Sequence, residues 1–182
     1  LMSRLTISMP DQRNAWVEAQ ISAGRYGNVS EYFRDLVRRD QERREAAIGE
    51  LRAMLDRAKA SGISELSVGE CYRLPAKKHG RRACFVTKIE LTLDAERDLI
   101  DIYLYGIEHF GHAQAERYAE TLNGKIAVAA ENPSFGANYS FVRDDLRRYE
   151  CISHDIYYRT TASGSLVLRI LHGRMDPGQH VI

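Results

Sequence analysis

The sequence is poor in the features that mark secreted, metal-binding and membrane-spanning proteins. It has three cysteines among 182 residues and no Cys-X-X-Cys pair, so neither a disulfide scaffold nor a zinc ribbon is indicated. No apolar run approaches the ~18 residues that a membrane span needs. The stretch from Leu1 to Pro10 contains no apolar block of signal-peptide length. We therefore expect a cytoplasmic protein with reduced thiols.

The charge of the chain as a whole is almost balanced, but basic and acidic residues are distributed unevenly along the sequence. The chain carries 26 basic and 25 acidic side chains, for a net charge of +1. Residues 1–70 hold 11 of each sign, residues 71–86 hold five basic side chains and no acid, and residues 87–182 hold 10 basic and 14 acidic ones. The basic stretch also contains Pro75 and Gly80 and lacks a helical apolar period. These observations predict a first module (1–70), a basic linker (71–86) and a second module (87–182).

The first module begins with a strict alternation of polar and apolar residues from Arg4 to Met9. This period of two is typical of a half-buried strand, which Pro10 would end. A single strand has two open edges, so the simplest arrangement is a homodimer whose strands pair as an antiparallel ribbon. The ribbon would present Arg4, Thr6 and Ser8 to base edges in the major groove of DNA. An ordinary edge strand is the alternative.

Two helices are predicted after the strand. The first carries a short apolar stripe and ends at Gly24, since glycine readily takes the left-handed conformation. Asn28 followed by Glu31 fits a capping box at the start of the second helix, with Ser30 as an alternative cap. The helical apolar pattern then continues to Gly62. Near Asn28 and Ser30, the N-terminus of this helix would offer N–H groups to a DNA phosphate.

These residues resemble the ParD family of antitoxins, which have a ribbon-helix-helix fold. The resemblance covers about residues 2–70 and is carried by RLTISMP at 4–10 and by GRYGNVSEYFRDLVRRD at 24–40. It implies a homodimer that binds operator DNA and represses its own operon. It also implies a segment, about Glu45 to Leu74, that wraps a toxin; the alternative is a solvated tail whose apolar residues pack within the dimer. The apolar anchors of that segment would be Leu51, Leu55, Ile63, Leu66 and Val68.

The second module is predicted to begin with a helical hairpin and to end in strands. Lys88 to Leu91 is a short strand candidate, and Thr92 can cap a helix that ends at Phe110-Gly111. A second helical pattern runs on to Pro133. Strand-like runs follow at 149–152, 156–160 and 166–171, with turns at His154-Asp155 and Ser163-Gly164-Ser165. A helical hairpin on a small, mainly antiparallel sheet is an α+β fold.

This pattern resembles the ParE toxins, a branch of the RelE/ParE fold, over nearly all of residues 87–182. The resemblance is carried by Leu91-Thr92, Ala95-Glu96, Asp98-Leu99, Ile102, Pro133, Gly136, Tyr157-Tyr158-Arg159 and Arg169-Ile170-Leu171-His172-Gly173-Arg174. It implies one of two activities, because ParE toxins are associated with inhibition of DNA gyrase whereas RelE-type relatives cut messenger RNA on the ribosome. We favour a gyrase inhibitor, which is not an enzyme, and keep a ribosome-dependent mRNA endonuclease as the alternative.

Basic and histidine side chains near the predicted strands are the candidates for the working surface of the second module. We predict that this surface includes Arg159, Arg169, His172 and Arg174. Guanidinium groups suit the recognition of carboxylate or phosphate, although an internal salt bridge is the alternative for Arg169 and Arg174. Arg169 would point away from the core if Leu168 and Ile170 point inward. A net charge of −4 over residues 87–182 argues against an RNA-binding surface. No catalytic residue, cofactor or metal site is identified.

The two resemblances fall in one chain, whereas antitoxins and toxins of these families are normally separate chains. A tether holds its two ends at an effective concentration of about mM, which favours self-neutralisation where the geometry allows it. Three hypotheses are open at this point. They are a self-neutralising antitoxin–toxin that binds operator DNA and DNA gyrase, a ribonuclease of the same fold, and a repressor whose toxin half has decayed.

Overall fold

The computed structural model describes residues 6–72, 88–132, 134–162 and 164–175. Arg4, Pro133, Ser163 and the basic linker from Arg73 onward lie outside the described residues. The chain divides into two compact units, Leu1–Ala46 and Ala47–Ile182. Residues 47–70 of the first module therefore belong to the same unit as the second module. No helix among the described residues is long and apolar enough to cross a membrane.

The described chain does not begin with a strand. Residues 6–10 have no regular secondary structure, although we predicted a strand from Arg4 to Met9. A strand needs a neighbour for its backbone hydrogen bonds, and the predicted neighbour is the same segment of a second copy. A single chain cannot supply that neighbour, so the ribbon stays a prediction.

Two helices follow, and their ends are where the sequence predicted them. They are α1 (Asp11–Ser22) and α2 (Val29–Ser61). Gly24 ends α1 with a φ of +71°, and its N–H donates to the Ile21 carbonyl at 2.9 Å. At the start of α2 the Asn28 side chain accepts from the Glu31 N–H at 2.9 Å. The Glu31 carboxylate accepts from the Gly27 N–H at 2.7 Å, one residue further back than in a standard capping box.

Helix α2 is uninterrupted over 33 residues, which corresponds to about 50 Å at 1.5 Å per residue. It stops before Gly62, whose φ of +99° favours glycine, as predicted. Apolar residues recur at steps of three and four in residues 29–37 and again from Ala47 to Ala58, whereas residues 38–45 are all polar. Their burial differs between the two units, because Leu36 and Val37 are 41% and 57% exposed whereas Leu51 and Leu55 are fully buried.

The C-terminal unit contains a five-stranded sheet. Its further elements are β1 (Lys88–Leu91), α3 (Leu93–Phe110), α4 (His112–Glu131), β2 (Ala137–Asn138), β3 (Leu146–Cys151), β4 (His154–Thr161), β5 (Gly164–His172) and the 3-10 helix η1 (Gly173–Met175). The strand order is β1-β5-β4-β3-β2. Strand β1 is parallel to β5 and all other neighbours are antiparallel, which confirms the predicted α+β class.

Each face of the sheet packs against helices. Tyr158 of β4 lies in a core cluster with Leu99 of α3 and Ile126 of α4. The preceding residue, Tyr157, lies in a second cluster with Leu55 of α2. Successive side chains of a strand point to opposite faces. Helices α3 and α4 therefore cover one face of the sheet, and residues 47–61 of α2 cover the other.

The turns between the strands were predicted in the wrong places. His154 and Asp155 begin β4, and the turn before it is at Ile152-Ser153, where Ile152 has a φ of +55°. Gly164 and Ser165 similarly belong to β5. Polar residues that look like turn formers can therefore lie in strands when neighbouring strands satisfy their backbones.

The N-terminus of α3 is capped as predicted. The Thr92 hydroxyl oxygen accepts from the Ala95 N–H at 3.1 Å, and the same hydroxyl donates to the Leu168 carbonyl at 2.7 Å. One buried side chain thus starts a helix and ties it to the neighbouring strand β5.

Candidate functional site

The second part of α2 places two leucines in the core of the C-terminal unit. Leu51 and Leu55 are four residues apart, lie on one side of the helix, and are fully buried. Burial of a leucine side chain contributes about 1.5–3 kcal/mol, so this pair strongly favours the packed arrangement. We call residues 47–72 the docking segment. From the second module, the cluster around these leucines contains Tyr139, Val142, Leu146, Tyr157, Leu166, Leu168 and Leu171.

Two charged residues of the docking segment contact the loop between β2 and β3. The Arg52 guanidinium donates to the carbonyls of Val142 and Phe141, the latter at 2.8 Å. Asp56 forms an ion pair with Arg143 of the same loop. These contacts could not be predicted from the sequence, since charged residues on an amphipathic helix are most simply solvated.

Beyond α2, the docking segment pairs with the edge of the sheet. Ile63 forms an antiparallel bridge with Thr92, and the Ser64 N–H donates to the Leu91 carbonyl at 2.8 Å. The Ser64 hydroxyl donates to the Glu96 carboxylate at 2.5 Å. Because β1 is an edge strand, these bonds cover backbone groups that would otherwise be open to another chain.

The docking segment also completes the N-terminus of α3. The first N–H groups of a helix have no partner within the helix. The Gly62 carbonyl accepts from the Leu93 N–H at 3.0 Å, and the Ser61 hydroxyl oxygen accepts from the Asp94 N–H at 3.2 Å. Two backbone donors of the second module are therefore satisfied by residues of the first.

The five predicted anchors of this segment divide into two groups. Leu51, Leu55 and Val68 are buried, and Val68 lies in the cluster with α3 and α4. Ile63 and Leu66 are 52% and 41% exposed, so their side chains depart from the predicted anchoring. Ile63 is held by the backbone hydrogen bonds of its neighbours Gly62 and Ser64, because the edge of a sheet offers hydrogen bonds to a passing chain without requiring a pocket for a side chain.

The predicted DNA-binding residues belong to the N-terminal unit. Arg4 lies outside the described residues, and Thr6 and Ser8 are exposed in the segment that precedes α1. Ser30 is exposed in the first turn of α2, and the Asn28 side chain caps that helix. Their role in DNA binding stays a prediction.

Asp35 organises a group of basic and aromatic side chains near the start of α2. It accepts from the Tyr26 hydroxyl at 2.8 Å and forms ion pairs with Arg38 and Arg39, the latter at 2.8 Å. The hydrogen bonds from Tyr26 and Arg38 lower the pKa of Asp35. The carboxylate therefore pairs with two arginines on an exposed helix.

Arg169 forms an internal ion pair. Its Nε and Nη2 atoms donate to the Asp98 carboxylate at 2.7 and 2.9 Å, and the Ile170 N–H donates to the same carboxylate at 2.9 Å. The hydrogen bond to Asp98 raises the pKa of Arg169. This geometry matches the salt-bridge alternative. Leu168 and Ile170 are both buried, but they lie in core clusters on opposite faces of the sheet, because a β-bulge interrupts the register of β4 and β5. The expectation that both point to one side of the strand and Arg169 to the other is therefore wrong.

His172 and Arg174 lie in a cleft at the end of the sheet. The His172 ring is 5.1 Å from the ring of His154, and the His172 Nδ1 accepts from the Arg174 N–H at 3.1 Å. The Tyr118 Oη is 2.6 Å from the His154 Nδ1. Burial, with the nearby His172, lowers the pKa of His154 to about 4. His154 is therefore uncharged at neutral pH and poorly matched to general-base work there.

Arg159 lies on the face of the sheet that α2 covers. It pairs with Leu146 on β3 and with Leu166 on β5. Residues directly opposite each other in a ladder share a face, and both leucines are in the cluster with Leu51 and Leu55. The Nε atom of Arg159 is buried and has no hydrogen-bond partner among the described residues.

Metal ligands and reactive thiols do not form a site in the described part of the chain. Among those residues, no group of three or more His, Cys, Asp or Glu side chains is placed to hold a metal ion. Cys71 and Cys151 are buried free thiols, and burial raises the pKa of Cys71 to about 11. Both pack in the cluster beneath α3 and α4 as small apolar side chains.

Comparisons with known proteins divide the chain at the same place as its charge pattern. The family model described as the bacterial antitoxin of the ParD type II toxin-antitoxin system matches residues 2–68, and that of the ParE toxin of the parDE system matches residues 89–177. The antitoxin ParD4 of Caulobacter vibrioides is 46% identical over 69 residues, which cover 38% of this chain and 71% of that protein.

Two toxins are similar to the second module. The toxin ParE1 of Mycobacterium tuberculosis is 36% identical over 83 residues, which cover 45% of this chain and 85% of the toxin. The toxin ParE1 of Caulobacter vibrioides is 33% identical over 91 residues, which cover 50% and 94%. A solved structure described as the chromosomal ParDE toxin-antitoxin system from P. aeruginosa has a TM-score of 0.42 at 18% identity, covering 48% of this chain and 96% of that one. The chain therefore belongs to the ParD antitoxin family in its first part and to the ParE toxin family in its second, and it carries both in one polypeptide.

Proposed function

We propose that this chain is a self-neutralising antitoxin–toxin. In this proposal the N-terminal unit of two copies forms a ribbon-helix-helix dimer that binds operator DNA and represses transcription. The second module inhibits DNA gyrase when the docking segment leaves it. The ParD and ParE matches support the toxin-antitoxin assignment, and gyrase is the target that the resemblance to ParE toxins implies.

The observation that carries neutralisation is the burial of Leu51 and Leu55. Both lie in the part of the chain that matches the ParD family, whereas the other members of their cluster lie in the part that matches the ParE family. Removal of the docking segment would expose a wide apolar face of the sheet and the backbone of β1. Exposed surfaces of this kind usually bind a partner or are covered by another part of the protein. In this proposal the antitoxin part of the chain thus covers this face of its own toxin part.

Exposed apolar side chains support the dimer. Ile7, Trp16, Leu36 and Val37 are 41–63% exposed in the single chain. Apolar residues at helical spacing that face solvent in one copy indicate a surface for a partner, and pairing of residues 4–9 between copies would bring the N-terminal helices together. Such a dimer would present Arg4, Thr6 and Ser8 twice, in register with a palindromic operator.

The experiment that tests this proposal removes the docking leucines in the full chain. The double variant Leu51→Lys with Leu55→Lys places two positive charges in an apolar cluster that Arg159 adjoins, which disfavours docking strongly. We expect that its induction in a bacterium arrests growth, and that the purified variant inhibits supercoiling by gyrase. The matched control is Leu36→Lys with Val37→Lys, which places the same charges on the exposed part of α2 and should leave growth normal.

A folded double variant that leaves both growth and gyrase unaffected would contradict the toxin assignment. Cleavage of mRNA on translating ribosomes, without an effect on supercoiling, would instead favour the ribonuclease of the same fold. Far-UV circular dichroism and the soluble yield would show whether the variant chain is folded.

A further inference from the structure

The arginines of the second module differ in where their partners lie. Eight of them fall within the described residues. Five of these arginines form hydrogen bonds or ion pairs with residues of the second module itself. They are Arg97 with Asp94, Arg117 with Gln114, Arg147 with the carbonyls of Ser134 and Gly136, Arg148 with Asp155 and Tyr139, and Arg169 with Asp98. The other three are Arg143, Arg159 and Arg174, and Arg174 is exposed in the cleft with His172.

Arg143 and Arg159 both lie at the docking segment. Arg143 forms its ion pair with Asp56, which belongs to the antitoxin part of the chain. Arg159 lies on the sheet face that Leu51 and Leu55 cover, with its buried Nε atom unpartnered among the described residues. When the docking segment leaves, the toxin part therefore has two guanidinium groups beside an apolar face, and no carboxylate of its own holds either one in the described structure.

We propose that this face, edged by Arg143 and Arg159, is the surface through which the toxin part binds its target, and that the docking segment neutralises the toxin by occupying it. The proposal rests on the proposed function and names the surface and the kind of partner. Asp56 would take the position of a carboxylate of the target, and Leu51 and Leu55 would take the positions of its apolar side chains.

The partner that fits this surface is a protein rather than a nucleic acid. Tyr157, Leu166 and Leu168 make the face beneath the docking segment apolar, and the second module has a net charge of −4. Nucleic-acid interfaces are more polar and much more positively charged than protein interfaces. The surface recognises a helical segment that presents two apolar side chains one turn apart and an adjacent carboxylate, as Leu51, Leu55 and Asp56 do.

The test uses the full chain in its released form, Leu51→Lys with Leu55→Lys. Into this parent we introduce Arg143→Gln or Arg159→Gln, and Arg117→Gln as the matched control, since Arg117 is paired within α4. We expect each of the first two to raise the concentration needed for half-inhibition of gyrase supercoiling at least tenfold. Arg117→Gln should match the parent, and Arg143→Lys, which keeps the charge, should recover part of the inhibition.

The outcomes separate this inference from the proposed function. If the parent inhibits gyrase and Arg143→Gln inhibits it equally well, the proposed target-binding surface is wrong although the toxin assignment stands. If the folded parent inhibits nothing, the proposed function is wrong and the inference with it. Cleavage of ribosome-bound mRNA by the parent would contradict a protein partner. Should the parent fail to fold, Asp56→Arg serves as the second parent, because the Asp56 side chain is 56% exposed and the change repels Arg143 directly. In that parent Arg159→Gln is compared with Arg117→Gln, since Arg143→Gln would relieve the repulsion, and Arg159→Gln is again expected to weaken the inhibition.

Discussion

The two parts of α2 share one helix and one kind of apolar pattern, yet they differ in what covers them. In residues 29–46, Leu36 and Val37 are 41% and 57% exposed. In residues 47–61, Leu51 and Leu55 are fully buried against the sheet of the C-terminal unit. The helical spacing is the same in both parts, so the spacing does not decide which residues are buried.

The difference shows that an amphipathic helix specifies a face and leaves open what covers it. The second part finds its cover in the same chain. The first part would find its cover in a second copy, through the dimer proposed above. The helix continues from one part into the other through Gly49, which does not interrupt it, so a single element carries both surfaces.

The largest expected effect separates the two parts by stability. Leu55→Ala should lower the free energy of unfolding by about 2–5 kcal/mol, because it leaves a cavity in a packed cluster. Leu36→Ala, at an exposed position, should change it by less than about 0.5 kcal/mol at concentrations where the chain is monomeric. Urea denaturation of both variants measures the contrast, and equal losses would contradict the division between buried and exposed parts.

DNA affinity tests the dimer that the first part is proposed to form. Arg4→Ala should weaken operator binding by about 1–3 kcal/mol if each copy reads a base with this side chain. The helical content should stay unchanged, since Arg4 precedes α1. A mobility-shift titration measures the affinity, with Arg57→Ala in the second part of α2 as the control. Unchanged affinity of the Arg4→Ala variant for operator DNA would contradict the proposed ribbon.

The response to pH should also distinguish the two units, because residues 1–46 contain no histidine. The pKa of His154 falls to about 4 on folding, so the unfolded chain binds more protons between that value and the ordinary value. Stability should therefore decrease as the pH falls from 7 to 5, by about 1–2 kcal/mol after allowance for partial exposure of the ring. It should be regained at higher pH.

Hydrogen exchange at pH 7 and pH 5 locates this loss in the C-terminal unit. His154→Gln should remove most of the pH dependence. His109→Gln, at an exposed ring of α3, should retain it. A pH dependence that survives His154→Gln would assign the effect to another group.

The smallest expected effect concerns the start of α2. Asn28→Ala removes the side chain that accepts from the Glu31 N–H and should cost about 1 kcal/mol of helix stability. Asn28→Ser keeps an acceptor and should lose less. Hydrogen exchange of the first turn of α2 is the measurement. The docking segment should be unaffected in both variants, so increased exchange there would show that the two parts of α2 are coupled.

Several elements could be predicted because their cause is local. The Asn28 and Thr92 caps, the glycine stops at Gly24 and Gly62, and the boundaries of β1 follow from side-chain chemistry and backbone freedom within a few residues. The prediction of turns at His154-Asp155 was wrong because the pairing of β4 with β3 and β5 outweighs local turn preference.

The site was less predictable than the fold. Asp56, Arg143 and Arg52 carry no sequence signal, because an ion pair between residues almost ninety positions apart is set by packing and not by spacing. Arg169 looked like a surface cation until the structure placed Asp98 beside it. Ile63 looked like an anchor, but the backbones of its neighbours Gly62 and Ser64 make the contact.

The sequence by itself determined that the chain has two modules, an amphipathic α2 and an α+β second module, since period, caps and composition are local properties. Its resemblance to the ParD and ParE families was likewise carried by short stretches of residues. Only the tertiary structure decided which apolar residues are buried, which arginines are paired internally, and that the docking segment covers the sheet face and the edge of β1. Those choices depend on which surfaces meet in space. Burial and ion pairing between distant residues reward a particular juxtaposition, and no stretch of sequence carries that information alone.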